Sequence, residues 1–205
     1  VSMSGLPGGL SAAIERQLAR QTVAMDNTRV LPAAGKVGRT GALGSAGSAK
    51  ADFVQQHQQA AERVEQQSGI PSEFMLGQAA HETGWGRREI RNADGSTSFN
   101  LFGIKAGPGW TGKVATVTTT EYVNGEARKV KAKFRAYDSY EESFRDYARL
   151  INTSPRYEKA RAQTGSAVAY ATELKRAGYA TDPDYAGKLS RVINSTLQVQ
   201  RALNA

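Results

Sequence analysis

The segment from residue 113 to residue 134 constrains the fold more than any other part of this sequence. It reads KVATVTTTEYVNGEARKVKAKF, with two runs rich in Val, Thr and Tyr around Asn124-Gly125. An Asn-Gly pair between two such runs is the strongest short-range signal for a β-hairpin, because both residues accept the positive φ of a tight turn. The flanking segments carry helical spacing and helix caps instead. The sequence therefore predicts an α+β fold in which one β-hairpin is inserted into a mainly helical domain.

Helices are predicted on both sides of the hairpin. Before it, one helix covers about residues 51–67 and ends at Gly69, and a second begins at Pro71 and ends at Glu82, before Gly84 and Gly86. After it we expect further helices: one capped by Ser139 with Glu142 three residues later, a short one after Pro155, one over residues 166–177, and one from Pro183.

The composition changes near residue 50. Residues 11–25 have the spacing of a short amphipathic helix, and residues 27–49 consist largely of Gly, Ala, Ser and Pro, which is typical of a flexible linker. From Ala51 onward apolar residues are frequent for about 150 residues, the size of an independent domain. We therefore predict four parts: the tail of an upstream domain over residues 1–26, a linker over 27–49, the main domain over 50–200, and a short tail over 201–205.

The charge balance is basic, with 27 Lys and Arg residues against 19 Asp and Glu residues and a net charge of +8. Nucleic acid, anionic lipid and bacterial cell wall all fit such a charge. The sequence has no nucleic-acid recognition motif and no apolar stretch near the roughly 18 residues of a membrane-spanning helix. We expect neither nucleic-acid binding nor membrane insertion.

The sequence gives little support for a metal site or a reactive thiol. There is no Cys, and the two His residues are His57 and His81. The pair His81-Glu82 resembles the start of the zinc motif H-E-x-x-H, but residue 85 is Trp instead of the second His. We expect no metal and no cofactor, and we expect His81 to pack rather than to react.

Glu82 is the first candidate for chemistry. Helical spacing puts it on one face with Met75 and Ala79, the face that a helix normally buries. Burial near Trp85 and the negative end of the helix dipole would both raise the pKa of this carboxyl, as a general acid requires. The alternative is a glutamate at a helix end that faces solvent or forms a structural ion pair.

Glu121 is the candidate for the second carboxylate that glycoside hydrolysis normally needs. It lies in TTTEY on the first predicted strand, where a charged side chain must face solvent or a cleft. The alternative is a solvated residue paired across the hairpin with Lys129 or Lys131.

Aromatic residues beside glycines in loops could stack on the flat faces of sugars. The sequence offers several of them, and packing in the core is the alternative for each: Trp85, Phe99, Phe102, Trp110, Tyr122, Tyr137 and Tyr179.

Five separated blocks resemble a known family. They are QAAHETGWG (78–86), FNLFGIK (99–105), TTTEY (118–122), FRAYDSYEESFRDY (134–147) and AGYATDPDYA (177–186). In this order they resemble the glucosaminidase domain of the family 73 glycoside hydrolases, and most of all its flagellar peptidoglycan hydrolases. The resemblance covers about residues 50–200. It implies a lysozyme-like fold, with a helical lobe, a β-hairpin lobe and a glycan-binding groove between them.

The resemblance also implies roles for single residues. Glu82 would be the general acid, and Glu121 would act as a base on water or as a more distant electrostatic partner. Tyr179 would orient the acetamido group of the substrate or stabilise charge. Trp85 and Asn100 match groove-lining positions, and Phe99, Trp110 and Tyr122 complete the set of expected substrate contacts. Inversion and assistance by the substrate's own N-acetyl group both stay open.

The implied function is that of a periplasmic endo-β-N-acetylglucosaminidase, which cuts the β-1,4 bonds of peptidoglycan for the flagellar rod. Its partners would be glycan strands and rod proteins, with residues 1–26 as the end of a rod-cap domain, and we expect a monomer. The alternatives are a muramidase acting on the same substrate and a non-catalytic module that binds glycan or rod proteins.

Overall fold

A computed structural model of the protein describes residues 41–123, 126–180 and 182–205, with side chains for 47–118, 126–180 and 182–205. The elements follow one another as α1 (Gly41–Ser68), α2 (Ser72–Thr83), β1 (Val114–Val123), β2 (Glu126–Arg135), α3 (Tyr140–Thr153), a 3-10 turn (Pro155–Tyr157), α4 (Glu158–Arg161), α5 (Ala167–Arg176) and α6 (Tyr185–Leu203). Helices with one antiparallel hairpin between α2 and α3 confirm the predicted α+β fold.

Helix α2 lies at the centre of the helical lobe, and nearly all of its residues are buried. It packs closely on α6, because Gly77 has no side chain: a Cβ at Gly77 would lie 2.7 Å from the Cα of Ile193. Helices α1, α3 and α5 add large apolar side chains around this pair, including Phe53, Phe144 and Leu174. The core therefore holds α2 rigidly, together with any group at its C-terminal end.

The two strands of the hairpin pair from Val114 opposite Arg135 to Val123 opposite Glu126. Their bounds confirm the predicted hairpin, whereas its turn at Asn124-Gly125 lies outside the described residues. Phe134 is fully buried and packs against Ile90 and Val117. This small apolar cluster connects the hairpin to the loop that follows α2.

Two boundaries differ from the sequence prediction. Helix α1 begins at Gly41, so residues 41–49 are helical although they were expected to belong to the flexible linker 27–49. Once a helix has formed, each added residue gains a backbone hydrogen bond, so α1 extends through this stretch although three of its nine residues are glycines. At the other end α6 continues to Leu203, into the predicted tail 201–205. Residues 1–40 lie outside the described residues, so the division of the chain into parts stays a prediction.

The helix caps after the hairpin are largely those predicted. The Ser139 hydroxyl accepts a hydrogen bond from the Glu142 amide, and the Glu142 carboxylate accepts one from the Asp138 amide. Ser166 caps α5 in the same way. Helix α6 begins at Tyr185, not at Pro183, because a turn over residues 182–185 precedes it, closed by the Tyr185 amide on the Asp182 carbonyl. None of the helices in the described ranges is long and apolar enough to cross a membrane.

Candidate active site

A cleft of about 500 Å³ lies between the helical lobe and the hairpin. Its walls come from the C-terminal end of α2, the loop that follows it, the loop around Asn100, and both strands. The lining residues are Glu82 and Thr83, residues 87–91, Asn100, Leu101 and Gly103, residues 116–118, and Phe134. The predicted groove between two lobes is therefore present in the structure.

Glu82 lies near the end of α2 and lines this cleft, with only 8% of its surface exposed. Met75 and Ala79, on the same face of the helix, are fully buried, as the helical spacing predicts. Burial raises the pKa of the Tyr179 and Tyr185 hydroxyls well above the usual value, and the nearby charge of Glu82 raises both further. The carboxyl therefore lies close to two buried tyrosines as well as to the cleft.

The turn after α2 is fixed by Thr83. Its hydroxyl donates to the Ala79 carbonyl at 2.7 Å and accepts from the Gly86 amide at 2.9 Å. Its carbonyl accepts from the Arg88 amide at 2.8 Å. Gly84 ends the helix in the left-handed region, with φ of 57°, as the predicted break requires. Glu82 is therefore followed by a rigid turn.

Glu121 lies in β1 opposite Arg128, and its side chain lies outside the described residues, as does that of Tyr122. The two lysines considered as alternative partners do not lie opposite Glu121. Lys129 pairs with Thr120, and Lys131 pairs with Thr118. Glu121 is three residues beyond Thr118, which lines the cleft, so its backbone stands about 10 Å further along the strand. Its predicted role stays a prediction.

Tyr179 is almost completely buried, and its hydroxyl donates to the Phe102 carbonyl at 2.7 Å. Phe102 directly precedes Gly103, a residue of the cleft wall. The structure thus places Tyr179 behind the cleft and near Glu82, with its hydroxyl bonded within the protein. Its role towards substrate stays a prediction.

Asn100 lines the cleft as expected, but its side-chain amide forms hydrogen bonds with other groups of the protein. The Nδ2 group donates to the carbonyls of Ile104 at 3.0 Å and Arg135 at 2.8 Å. The Oδ1 atom accepts from the amides of Phe102 and Ile104. Asn100 therefore shapes this loop, and a contact with sugar would have to compete with these bonds.

Among the aromatic candidates whose side chains the structure describes, Trp85, Phe99 and Trp110 do not line the cleft that holds Glu82. Trp85 packs edge-on against Phe53 at 5.9 Å, and Phe99 packs edge-on against Tyr140 at 4.9 Å. Trp110 donates from its indole to the Lys113 carbonyl at 2.8 Å and contacts Tyr137. Of these three rings, Trp85 packs against the apolar core, which is the alternative that the sequence left open for each of them. Their roles as substrate contacts stay predictions.

The cleft also contains residues that the sequence analysis did not select. Arg87, Arg88 and Arg91 line it together with Glu89. The signal for them was the run GRREIR (86–91), which begins four residues after Glu82 and contains three arginines beyond the glycines that end the helix.

The two histidines lie in different packing environments. His57 is buried between rings of Phe53 and Tyr140, and burial lowers the pKa of His57 to about 4. Burial, followed by the charge of Lys188, also lowers the pKa of His81, which packs edge-on against Tyr185. Within the described ranges there is no group of three His, Asp, Glu or Cys residues that could hold a metal ion.

A buried carboxyl in a cleft between a helical lobe and a β-hairpin defines a class of protein, the glycoside hydrolases with a lysozyme-like fold. The profile of the glucosaminidase family, described as mannosyl-glycoprotein endo-beta-N-acetylglucosaminidase, matches residues 58–198. The chain belongs to this family.

Individual relatives agree with this assignment. The peptidoglycan hydrolase FlgJ of Escherichia coli K12 is 52% identical over 141 residues, which are 69% of this chain and 45% of that protein. The chain thus spans about half the length of the curated relatives it matches.

Solved structures that are similar to it include the two described next. A mutant peptidoglycan hydrolase from Sphingomonas sp. A1 matches with a TM-score of 0.65 and 49% identity, over 74% of this chain and 99% of that one. The truncated glycoside hydrolase domain of Salmonella typhimurium FlgJ matches with a TM-score of 0.63 and 46% identity, over 73% and 98%.

Proposed function

We propose that this protein is a peptidoglycan hydrolase, an endo-β-N-acetylglucosaminidase that cuts the β-1,4 bond after N-acetylglucosamine. The observation that carries the proposal is the buried Glu82 carboxyl in the cleft between the lobes. The family assignment and the names of the relatives, which are peptidoglycan hydrolases, support the same substrate.

In the proposed mechanism Glu82 is the general acid. Its protonated carboxyl gives a proton to the glycosidic oxygen as the bond to the anomeric carbon breaks, and a water molecule supplies the hydroxyl of the new reducing end.

The second half of the mechanism needs a group that supports the attack on the anomeric carbon. We propose Glu121 for this role, as a base on water or as an electrostatic partner, and Tyr179 as the group that orients the acetamido substituent. If Glu121 stands too far from the anomeric carbon to act on water, the acetamido oxygen of the substrate would attack that carbon instead. The distance between the two carboxyls in the complex decides between the two routes.

The test is hydrolysis of purified peptidoglycan by the protein and by its Glu82→Gln variant, followed by borohydride reduction and mass spectrometry. Glutamine keeps the shape and removes the proton donor, so we expect a rate loss of about three decades. The control is Glu73→Gln, which changes a carboxyl in the first turn of the same helix, away from the cleft lining.

Each outcome has a distinct meaning. Reduced N-acetylglucosamine ends from the parent and the Glu73→Gln control, but not from Glu82→Gln, are the expected result. Reduced N-acetylmuramic acid ends would make the protein a muramidase. Binding of glycan without new reducing ends would show a non-catalytic module, and normal wall clearing by Glu82→Gln would contradict the assignment of the acid.

We propose further that the activity serves flagellar rod assembly in the periplasm, with rod proteins as partners and a monomeric enzyme. The support is the similarity to relatives named FlgJ, of which this chain spans about half. The test is complementation of a strain whose own FlgJ has lost only the part that this chain matches. Restored swimming by the parent chain fused to a periplasmic leader, but not by the same fusion with Glu82→Gln, is the expected result.

A further inference from the structure

A second opening, which we call the side pocket, adjoins the cleft that holds Glu82. It has a volume of about 230 Å³, and Gly103 lines both the cleft and the side pocket. Its walls include Lys105, Leu150, Ser154, Arg156, Tyr157 and Tyr179. A group carried by a ligand in the cleft can therefore enter the side pocket.

The frame of the side pocket is fixed by hydrogen bonds. On one side, the Arg135 amide donates to the Ile104 carbonyl at 3.0 Å, and Arg135 Nε donates to the Lys105 carbonyl at 3.2 Å. On the other side, the Tyr157 amide donates to the Ser154 carbonyl at 3.1 Å and closes the 3-10 turn. The walls therefore stand in place before a ligand binds, which lowers the entropy cost of binding.

The Tyr157 hydroxyl is a donor without a partner among the described residues. Tyr157 is 3% exposed, and its hydroxyl forms no hydrogen bond with those residues. The only fully buried side-chain nitrogen or oxygen among them that lacks a partner is His57 Nδ1, so the Tyr157 hydroxyl must reach solvent. Since Tyr157 lines the side pocket, that opening is where its hydroxyl meets solvent.

This hydroxyl is suited to an anion. Burial raises the pKa of Tyr157 above its ordinary value, although the charge of Arg156 acts in the opposite direction. The hydroxyl therefore keeps its proton at neutral pH and can donate it in a hydrogen bond. A hydrogen bond from a hydroxyl to a charged oxygen is stronger than one to a neutral oxygen.

The side pocket combines positive charge with apolar surface. Three of its described lining residues are basic and none is acidic; the basic ones are Lys105, Arg135 and Arg156. Arg135 is paired with Asp146, whereas the Arg156 guanidinium donates from Nε to a main-chain carbonyl, which leaves its charge in place. Leu150 adds apolar surface. Such a combination suits a carboxylate on a short peptide better than it suits a neutral sugar.

We infer that the side pocket binds a carboxylate of the peptide stem on the glycan strand that occupies the cleft. Tyr157 donates a hydrogen bond to this carboxylate, Lys105 supplies the opposite charge, and Leu150 packs against the apolar part of the peptide. The inference rests on the proposed function and adds the peptide as a second part of the substrate that this chain recognises. The lactyl group of N-acetylmuramic acid offers the same chemistry once the stem is removed, so the test must separate the two sources.

The test measures binding of soluble glycan strands to the Glu82→Gln variant, so that no strand is cut during titration. Three ligands are compared: strands with stems, the same strands after carbodiimide coupling to ammonia, which converts carboxylates into neutral amides, and strands stripped of their stems by an amidase. We expect the untreated strands to bind about tenfold more tightly than the other two, the size of one hydrogen bond to a charged group.

Two single changes remove the contacts of the side pocket one at a time. In the same background, Lys105→Gln and Tyr157→Phe are each expected to reduce the preference for untreated strands to less than about threefold. The matched control is Lys159→Gln, an exposed lysine two residues after Tyr157 that does not line the side pocket, and it is expected to keep the full preference. Thermal melting of each variant excludes unfolding as the cause.

The inference is overturned if amidation of the strands leaves their affinity unchanged, or if the two variants lose equal affinity for all three ligands. A third result also contradicts it. If stripped strands bind as tightly as untreated ones while amidated strands bind weakly, the lactyl carboxylate is the ligand and the stem is not.

Hydrolysis by proteins with an intact Glu82 is scored separately. Tyr157→Phe is expected to raise the KM for strands with stems by at least about threefold and to leave kcat unchanged, because a contact away from the scissile bond binds substrate and transition state equally. Stem-dependent binding without new reducing ends from the parent would refute the proposed function and keep this inference. Cleavage without any preference for stems would refute this inference alone.

Discussion

The side-chain amide of Asn100 donates a hydrogen bond of 2.8 Å to the main-chain carbonyl of Arg135. Asn100 belongs to the cleft wall and Arg135 ends β2, so this bond joins the loop of the helical lobe to the base of the hairpin. The Arg135 guanidinium extends the link, because it donates to Asp146 in α3 at 2.9 Å. These contacts determine where the hairpin, which carries Glu121, stands relative to Glu82.

Replacing Asp146 by Asn tests this connection. Burial would raise the pKa of Asp146, but hydrogen bonds from Tyr137, Arg149 and Arg135 outweigh burial and hold it below its usual value. Loss of the charge leaves Arg135, largely buried, without its counter-ion, so we expect the free energy of unfolding to fall by about 3 kcal/mol. Urea denaturation measures this loss.

The control for this prediction is Arg149→Ala. The Arg149 side chain is 66% exposed, so its pair with Asp146 is screened by solvent and its loss costs less than about 1 kcal/mol. Equal losses in the two variants would show that Asp146 does not act through Arg135.

Gly77→Ala is expected to destabilise the protein although Ala is the better helix former. The new Cβ would lie 2.5 Å from Cγ1 and 2.7 Å from Cα of Ile193, and the backbone of α6 cannot yield as a flexible side chain does. We expect a loss of about 2 kcal/mol. The matched change is Gly47→Ala in α1, where nothing lies within 4 Å, and it is expected to gain up to about 1 kcal/mol. Thermal unfolding of both variants checks the opposite signs.

The sequence predicts the elements of this fold because their signals are local. The hairpin has alternating strands around Asn124-Gly125, and α3 has its cap at Ser139, so neighbouring residues carry the information. The start of α1 is less predictable, because residues 41–49 are rich in Gly and Ser and resemble a linker in composition.

The site is predictable only in part, because it depends on contacts between distant residues. The burial of Glu82 follows from helical spacing within α2, and the structure agrees. The hydrogen bond from the Asn100 side-chain amide to the Arg135 carbonyl joins residues 35 positions apart, and no local sequence pattern indicates it. The same holds for Trp110, whose position next to Tyr137 depends on the loop path rather than on the glycines around it.

We expect the free energy of unfolding to depend on pH because His57 is buried. Burial lowers the pKa of His57 from 6.5 to about 4, so the folded protein keeps this ring neutral. Between these values the unfolded chain binds more protons than the folded one, and the stability falls as the pH is lowered through this window. The loss attributable to His57 is at most about 3 kcal/mol.

The measurement compares urea denaturation of the parent and of His57→Phe at about pH 7.5 and about pH 4.5. Phe is expected to fit among Phe53 and Tyr140, whose rings lie 4.6 and 4.7 Å from that of His57. The carboxylates and His81 titrate in both proteins, so the difference between the two isolates His57. An equal loss of stability on acidification in parent and variant would contradict the prediction.

The Tyr179→Phe variant distinguishes a structural role of this residue from a role in orienting the substrate. The hydroxyl bonds to the Phe102 carbonyl at 2.7 Å, so its removal is expected to lower the free energy of unfolding by about 1 kcal/mol. Because we also propose that Tyr179 orients the substrate beside Glu82, we expect kcat on peptidoglycan to fall by about a hundredfold. The control is Tyr157→Phe, whose ring lies 6.1 Å from that of Tyr179 and is also buried. A normal kcat together with reduced stability in Tyr179→Phe would leave the residue with a purely structural role, since its hydroxyl would then serve only the loop that precedes Gly103.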